Sequence, residues 1–181
     1  MRLSVESLGR AVLEGQKVVA PGSRPEDFHS PEPIAQVARS ELGAVLFLVW
    51  DKKHRFYRSL CEIYIRERDG YWWDKSQLGV AWPWLELKRP STLGENQVEF
   101  SGRSITIEEG RLTYAIPGVA AADVRRIRCD HANDQVDCPI EPTTGAFICL
   151  GEIAVEKRTT TIEVSTTGGV HAIAQPLIDA A

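Results

Sequence analysis

Short runs in which apolar and polar residues alternate fill the second half of the chain and predict antiparallel strands. A turn at residues 109–110 places Ile105 opposite Tyr114 and Ile107 opposite Leu112. A later turn at residues 168–169 places two further pairs opposite each other, Val164 with Ile173 and Thr166 with His171. Strands at near-even spacing with turn residues between them are typical of a β-sandwich.

Residues 124–141 are predicted to form the central hairpin of this region, with its turn at Asn133-Asp134, because both residues tolerate left-handed backbone. The pairs that this turn predicts are Ile127 with Ile140, Cys129 with Cys138, and His131 with Val136. These six side chains share one face, because side chains alternate along a strand. The other face carries polar residues, namely Arg126, Arg128, Asp130 and Asp137. We expect Cys129 and Cys138 to form a disulfide in an oxidising compartment and to remain thiols in a reducing one.

The first half of the chain mixes two periodicities. Apolar residues at three-to-four spacing predict a helix over residues 4–16 and a second one over residues 30–42, ended by Gly43. Residues 44–50 are apolar on both faces, which predicts a strand covered on one side by the preceding helix and on the other by a second sheet.

Residues 56–68 alternate again and predict a long strand, followed by a hairpin turn at Asp69-Gly70. This turn places Arg66 opposite Trp73 and Glu67 opposite Trp72. A cation–π contact between Arg66 and Trp73 is therefore expected.

The whole pattern predicts a mainly β (α+β) fold. Short N-terminal helices and an antiparallel meander with a Trp-rich connector occupy residues 1–97. Residues 98–181 form an antiparallel β-sandwich, immunoglobulin-like or transthyretin-like in its strand pattern. No family motif is present, and sandwiches of this kind host many unrelated functions.

Composition narrows the function classes. The 181 residues carry a net charge of −4, which argues against nucleic-acid binding, because such proteins usually present a strongly basic face. The longest apolar run, residues 44–50, is far shorter than the roughly 20 residues that span a bilayer. The N-terminus has no apolar core of signal-peptide length, so we expect a soluble cytoplasmic protein; the alternative is a secreted one whose signal peptide has been removed.

Candidate catalytic and metal-binding residues are few. A small enzyme would have to use His54 with Cys61, or His131, and the sequence has no nucleophile elbow, phosphate-binding loop or dinucleotide-binding motif. Cys129, His131 and Cys138 offer three possible metal ligands, but there is no Cys-x-x-Cys pair and no fourth ligand nearby. We therefore expect neither a metal nor a cofactor.

Aromatic residues are concentrated in one segment, where four of the five tryptophans lie between residues 72 and 84. They either fill the junction between the meander and the sandwich or form a recognition surface. The candidate binding residues are Trp72, Trp73, Trp82, Trp84 and Arg66. The function expected first is a non-catalytic binding module, accessory or inhibitor-like, with another protein as partner. A carbohydrate-binding module that uses the same tryptophans on a glycan is the alternative.

Overall fold

The computed structural model describes residues 5–15, 32–51, 56–74, 82–83, 93–95 and 97–178. Within them the chain forms one helix and thirteen strands, and all strand pairs are antiparallel. The elements are α1 (Val5–Leu13), β1 (Glu32–Ala38), β2 (Leu42–Asp51), β3 (Phe56–Arg66), β4 (Trp72–Asp74), β5 (Trp82–Pro83), β6 (Val98–Phe100), β7 (Ser104–Glu108), β8 (Arg111–Ala120), β9 (Val124–His131), β10 (Asp134–Cys138), β11 (Ala146–Ala154), β12 (Thr159–Thr166) and β13 (Gly169–Pro176). The predicted mainly β, antiparallel fold is confirmed, whereas its immunoglobulin-like or transthyretin-like form stays a prediction.

The strands form three sheets. The helix-covered sheet has the order β1-β2-β3-β4, with β5 also paired to β3. The middle sheet has the order β11-β8-β6, with β7 also paired to β8, and the outer sheet has the order β10-β9-β12-β13. Hairpin and meander connections explain why neighbours in sequence are mostly neighbours in space.

Three clusters of buried side chains stack these layers in one order. The helix α1 packs on one face of the helix-covered sheet through Val12, against Phe47 and Tyr64. The other face of that sheet packs on the middle sheet, where Leu46 and Ile148 belong to one cluster. The opposite face of the middle sheet packs on the outer sheet. The middle sheet is therefore covered on both faces.

The strand predicted at residues 44–50 is confirmed as the centre of β2, with both faces buried. Ala44, Leu46 and Leu48 face the middle sheet, and Val45 and Phe47 face α1. The helix that covers it is α1, which confirms the helix predicted over residues 4–16. Gly9 allows this contact, because any side chain at position 9 would collide with the Tyr64 ring.

The helix predicted over residues 30–42 is wrong. Residues 32–38 are the strand β1, which pairs with β2 from Glu32↔Leu48 to Ala38↔Gly43. The helical spacing arose because a register shift between Pro33 and Ala35 allows consecutive residues of the strand to be buried. Pairing with an apolar central strand thus overrides the local periodicity.

Two predicted hairpins have the correct faces but the wrong pairs. Residue 131 pairs with residue 134 and Cys129 pairs with Val136, so the central hairpin turns at 132–133 and not at 133–134. Ala132 adopts a left-handed φ of 55° there, and its N–H donates to the Glu152 carbonyl of β11. A contact to the middle sheet thus selects the turn. Each residue of β9 pairs with a residue that lies two positions earlier in β10 than predicted. This shift preserves the faces, since side chains alternate with a period of two.

The last hairpin deviates from its prediction by the same amount. Thr166 pairs with Gly169 and Val164 pairs with His171, so the turn lies at residues 167–168. The Thr166 hydroxyl accepts a hydrogen bond of 3.1 Å from the Gly168 N–H, which stabilises the turn at this position.

The hairpin after β3 deviates by one residue, which exchanges the faces of two tryptophans. Arg66 pairs with Trp72, and residue 65 pairs with Trp73, because a three-residue turn replaces the predicted two-residue one. Asp69 stabilises this turn by accepting a hydrogen bond of 2.9 Å from the Tyr71 N–H. Trp72 therefore points to α1, and the predicted pair of Arg66 with Trp73 is wrong. By contrast, the predicted pairs between β7 and β8, Ile105↔Tyr114 and Ile107↔Leu112, are confirmed.

Candidate functional site

The tryptophans of the Trp-rich segment have different environments. Trp72 is only 3% exposed and packs under α1, whereas Trp73 is 46% exposed. Trp82 lies in β5, opposite Ser59 of β3, and the structure describes only its backbone. Trp84 lies outside the described residues. Trp72 is thus part of the core between α1 and the helix-covered sheet, and not of a junction with the sandwich.

Trp73 and Tyr71 form an exposed aromatic pair beside the edge strand β4. Their ring centroids are 4.9 Å apart and the rings are inclined at 63°, an edge-to-face arrangement. Tyr71 is 36% exposed. We call these two residues the aromatic edge.

Arg10 of α1 holds the aromatic edge against the helix. Its guanidinium carbon lies 4.1 Å from the Tyr71 ring centroid, and its Nε donates a hydrogen bond of 2.9 Å to the Trp72 carbonyl. It also donates to the Tyr71 hydroxyl and forms an ion pair with Glu6 at 2.7 Å. The predicted binding residue Arg66 pairs with Trp72, and its guanidinium carbon lies 5.6 Å from the Trp72 ring centroid. In this hairpin, Arg10 thus contacts Tyr71 and Arg66 lies beside Trp72.

The structure describes two of the three candidate catalytic residues, Cys61 and His131. Cys61 is buried between the helix-covered sheet and the middle sheet, and burial, with the negative charge of Glu62, raises the pKa of its thiol far above the ordinary value. A buried thiol that stays protonated is a poor nucleophile. His54 lies outside the described residues. His131 is half-buried, and its Nδ1 accepts a hydrogen bond of 3.2 Å from the Glu152 N–H.

A group of three cysteines lies between the middle and outer sheets. The sulfur atoms of Cys129, Cys138 and Cys149 all lie within 4.8 Å of one another, and all three residues are buried. The Cys129 and Cys138 sulfurs are 3.5 Å apart, and no disulfide joins them. We call these residues the thiol cluster; it is the one group of three or more potential metal ligands among the described residues.

The three thiols differ in acidity because they are hydrogen-bonded to one another. Hydrogen bonds from Cys138 and Cys149 lower the pKa of Cys129 well below its ordinary value, against the opposing effect of burial. The hydrogen bond with Cys129 raises the pKa of Cys138, and burial raises that of Cys149. The three thiols therefore titrate as one hydrogen-bonded group.

Sequence reasoning found two members of this cluster and missed the third. Cys129 and Cys138 lie on one face of the central hairpin, as predicted, although they are diagonal neighbours and not a directly opposed pair. Cys149 joins them from β11, in another sheet. The alternation of residues 146–150 places Cys149 on the same face as Phe147, but it does not show which sheet that face contacts. The predicted disulfide between Cys129 and Cys138 stays a prediction.

Arg39 borders the thiol cluster. Its Nε donates a hydrogen bond of 3.2 Å to the Leu150 carbonyl, and its Nη2 donates one of 3.1 Å to the Asp137 carbonyl. These carbonyls belong to the neighbours in sequence of Cys149 and Cys138. The Cys129 thiol also points to the Leu150 carbonyl, at 3.5 Å. A single guanidinium thus connects the strands that carry two of the cysteines and brings a positive charge close to Cys129 and Cys138.

An open cavity of about 430 Å³ adjoins the same region. Residues 35–38 of β1 and residues 139–142 form two of its walls, and the C-terminal end of α1 forms the third. Pro139, which lines this cavity, directly follows Cys138 in the sequence.

Comparison with known proteins finds no matching family model, no matching curated protein and no matching solved structure. No helix among the described residues is both long and apolar enough to cross a membrane. The function therefore has to be inferred from the two sites themselves.

Proposed function

We propose that this protein is a non-catalytic binding module, accessory or inhibitor-like, and that it recognises another protein through the aromatic edge. The observation that carries the proposal is the exposure of Trp73 and Tyr71 as a contacting pair. Aromatic residues are enriched at protein interfaces, and tryptophan and tyrosine are among the residues that most often dominate binding energy.

The surroundings of the aromatic edge support a binding role over an accidental exposure. Arg10 contacts Tyr71 and the Trp72 backbone, and Trp72 itself is buried. The exposed rings are thus attached to a core residue and to a helix, and not to a free loop. A surface that is already ordered loses less conformational entropy on binding.

The inclination of the two rings favours a protein partner over a glycan. A carbohydrate-binding module that uses two aromatic residues requires rings that can stack on the flat faces of successive sugars. The 63° angle between Trp73 and Tyr71 prevents a common stacking plane. Side chains of a protein partner can instead pack into the angle between the rings.

The test is a comparison of two neighbouring tryptophans. Trp73→Ala should leave thermal stability nearly unchanged and abolish retention of a stoichiometric partner from the native cell extract, with a binding loss of about 2 kcal/mol or more once that partner is purified. Trp72→Ala should instead lower the free energy of unfolding by about 3–5 kcal/mol, because it truncates a core aromatic residue.

Val170→Ala is the matched control, since Val170 is an exposed apolar residue of β13 in the outer sheet. It should retain the partner. Equal loss of the partner in Val170→Ala and Trp73→Ala would contradict the aromatic edge as the binding surface. A glycan-array signal that Trp73→Ala abolishes would support the carbohydrate alternative instead.

A further inference from the structure

We propose that Cys129, Cys138 and Cys149 form a buried binding site for a thiophilic metal ion of low coordination number, namely Cu(I). The sulfur atoms all lie within 4.8 Å of one another, and no disulfide links them. This inference concerns a different part of the molecule from the aromatic edge and does not depend on the proposed function.

The spacing of the sulfurs fits a shared metal ion. A thiolate sulfur bonds a metal ion at about 2.3 Å, so three sulfurs around one ion in a plane are roughly 4 Å from each other. The observed distance of 3.5 Å between Cys129 and Cys138, and the limit of 4.8 Å for all pairs, bracket this value. Small rotations of the side chains are enough to centre an ion.

The backbone geometry fits a metal ion better than a disulfide. Cys129 pairs with Val136, so Cys138 is its diagonal neighbour, two residues further along the strand. Diagonal residues of an antiparallel pair are about 7–8 Å apart, beyond the usual Cα separation of a disulfide, which is about 4.4–6.8 Å. An ion between the sulfurs replaces the single S–S bond by two metal–sulfur bonds and tolerates the longer distance.

The number of ligands points to Cu(I) and against Zn²⁺. Soft thiolates bind both ions, but structural zinc sites use four protein ligands. The Tyr114 hydroxyl, which is hydrogen-bonded to Cys129, also donates to the Asp130 carbonyl and contacts the Thr160 hydroxyl. Neither ring nitrogen of His131 belongs to the group of possible ligand atoms that lie within 4.8 Å of one another, and its Nδ1 accepts the Glu152 N–H. Cu(I) accepts three sulfur ligands in a plane and does not require a fourth.

Arg39 supplies positive charge beside the proposed metal site. Three thiolates around a monovalent ion leave an excess of negative charge, and the nearby guanidinium offsets part of it in a region with little solvent. Its hydrogen bonds to the Leu150 and Asp137 carbonyls also fix the strands beside Cys149 and Cys138. Outer groups of this kind typically change metal affinity by about 10- to 100-fold.

The position of Cys138 offers an entry path. Cys138 is the last residue of β10, which is an edge strand of the outer sheet. The next residues, 139–142, line the cavity of about 430 Å³. Local opening at this edge exposes the sulfurs without separating the sheets. The displaced thiol protons leave by the same path as the ion binds.

The test is anaerobic titration of the reduced protein with Cu(I) in competition with a Cu(I) chelator of known affinity. We expect one equivalent bound, a higher melting temperature, and an X-ray absorption spectrum with three sulfur neighbours and no nitrogen or oxygen neighbour. Cys149→Ser should abolish retention of the equivalent. Arg39→Gln should weaken binding by about 10- to 100-fold.

Cys61→Ser is the matched control, because Cys61 is also a buried cysteine but lies in the other core cluster. It should bind one equivalent with unchanged affinity. If Cys149→Ser fails to fold, the sulfur count from the wild-type absorption spectrum decides the question. Preference for Zn²⁺ over Cu(I), equal loss in Cys61→Ser, a nitrogen or oxygen neighbour, or no retained metal would each overturn the proposal.

Discussion

The middle sheet and the outer sheet are both antiparallel, but they distribute apolar residues differently. In β11 of the middle sheet, residues 146–151 are buried without interruption. In β12 of the outer sheet, buried and accessible residues alternate, with Thr160, Ile162 and Val164 buried and Thr161 exposed. The cause is the number of neighbouring layers. Among the described residues, the middle sheet has a layer on each face, whereas the outer sheet has a layer on one face only.

This difference shows how far a strand pattern can be interpreted. Strict alternation indicates a single covered face, and a continuous apolar run indicates two. Neither pattern identifies the layer that provides the cover. The thiol cluster is a consequence, because it forms where the covered face of the outer sheet meets the second covered face of the middle sheet.

The largest expected effect comes from adjacent residues of β11 that face opposite layers. Phe147→Ala should lower the free energy of unfolding by about 3–5 kcal/mol and Ile148→Ala by about 2–5 kcal/mol, because each leaves a cavity in a different core. In the outer sheet, Ile162→Ala should be costly, whereas its neighbour Thr161→Ala should change stability by no more than about 0.5 kcal/mol. Denaturant unfolding measures all four. A near-neutral Phe147→Ala or Ile148→Ala would mean that one face of the middle sheet is open to solvent.

The next effect concerns Gly151, where the middle and outer sheets approach each other closely. A Cβ atom at position 151 of β11 would lie less than 3.0 Å from the Asp130 carbonyl oxygen of β9 and from the Tyr114 hydroxyl. Because the first of these groups is backbone, Gly151→Ala should cost about 1–3 kcal/mol through overpacking. Thermal and denaturant unfolding check this value.

Gly94→Ala is the control for that change. Its added methyl group meets the side chain of Gln97, which is exposed and able to move away. It should be close to neutral. Equal stability of the Gly151 and Gly94 variants would show that the sheets do not meet at Gly151.

The smallest effect lies on the solvent face of the outer sheet. Arg126 donates two hydrogen bonds to the Asp137 carboxylate, at 2.7 and 3.0 Å, and these hold the pKa of Asp137 below its ordinary value. Arg126→Ala should raise that pKa towards about 3.9, the value in unfolded peptides. An NMR titration of the carboxyl carbon measures it.

The sign of the associated pH dependence follows from linkage. Because the folded pKa of Asp137 lies below the unfolded one, its carboxylate stabilises the fold at pH values above the unfolded pKa. This contribution is lost as the pH falls through the folded pKa. Identical titration of Asp137 in the wild type and in Arg126→Ala would show that the ion pair does not persist in solution.

The sequence by itself determined the fold class, most strands and the side of each strand that is apolar. These properties are local, since a period of two depends only on neighbouring residues. The pairs Ile105↔Tyr114 and Ile107↔Leu112 were also predictable, because one glycine turn defines them. The two hairpins with shifted pairs still kept their faces, because side chains alternate with a period of two.

Only the tertiary structure decided the properties that depend on distant partners. Residues 32–38 form a strand because β2 offers them an apolar partner, although their own spacing is helical. Ala132 turns the central hairpin because Glu152 binds its N–H. A single additional turn residue determines that Trp72 is buried and Trp73 exposed. Cys149 reaches Cys129 and Cys138 because two sheets stack, and no local pattern encodes which faces of separate sheets meet.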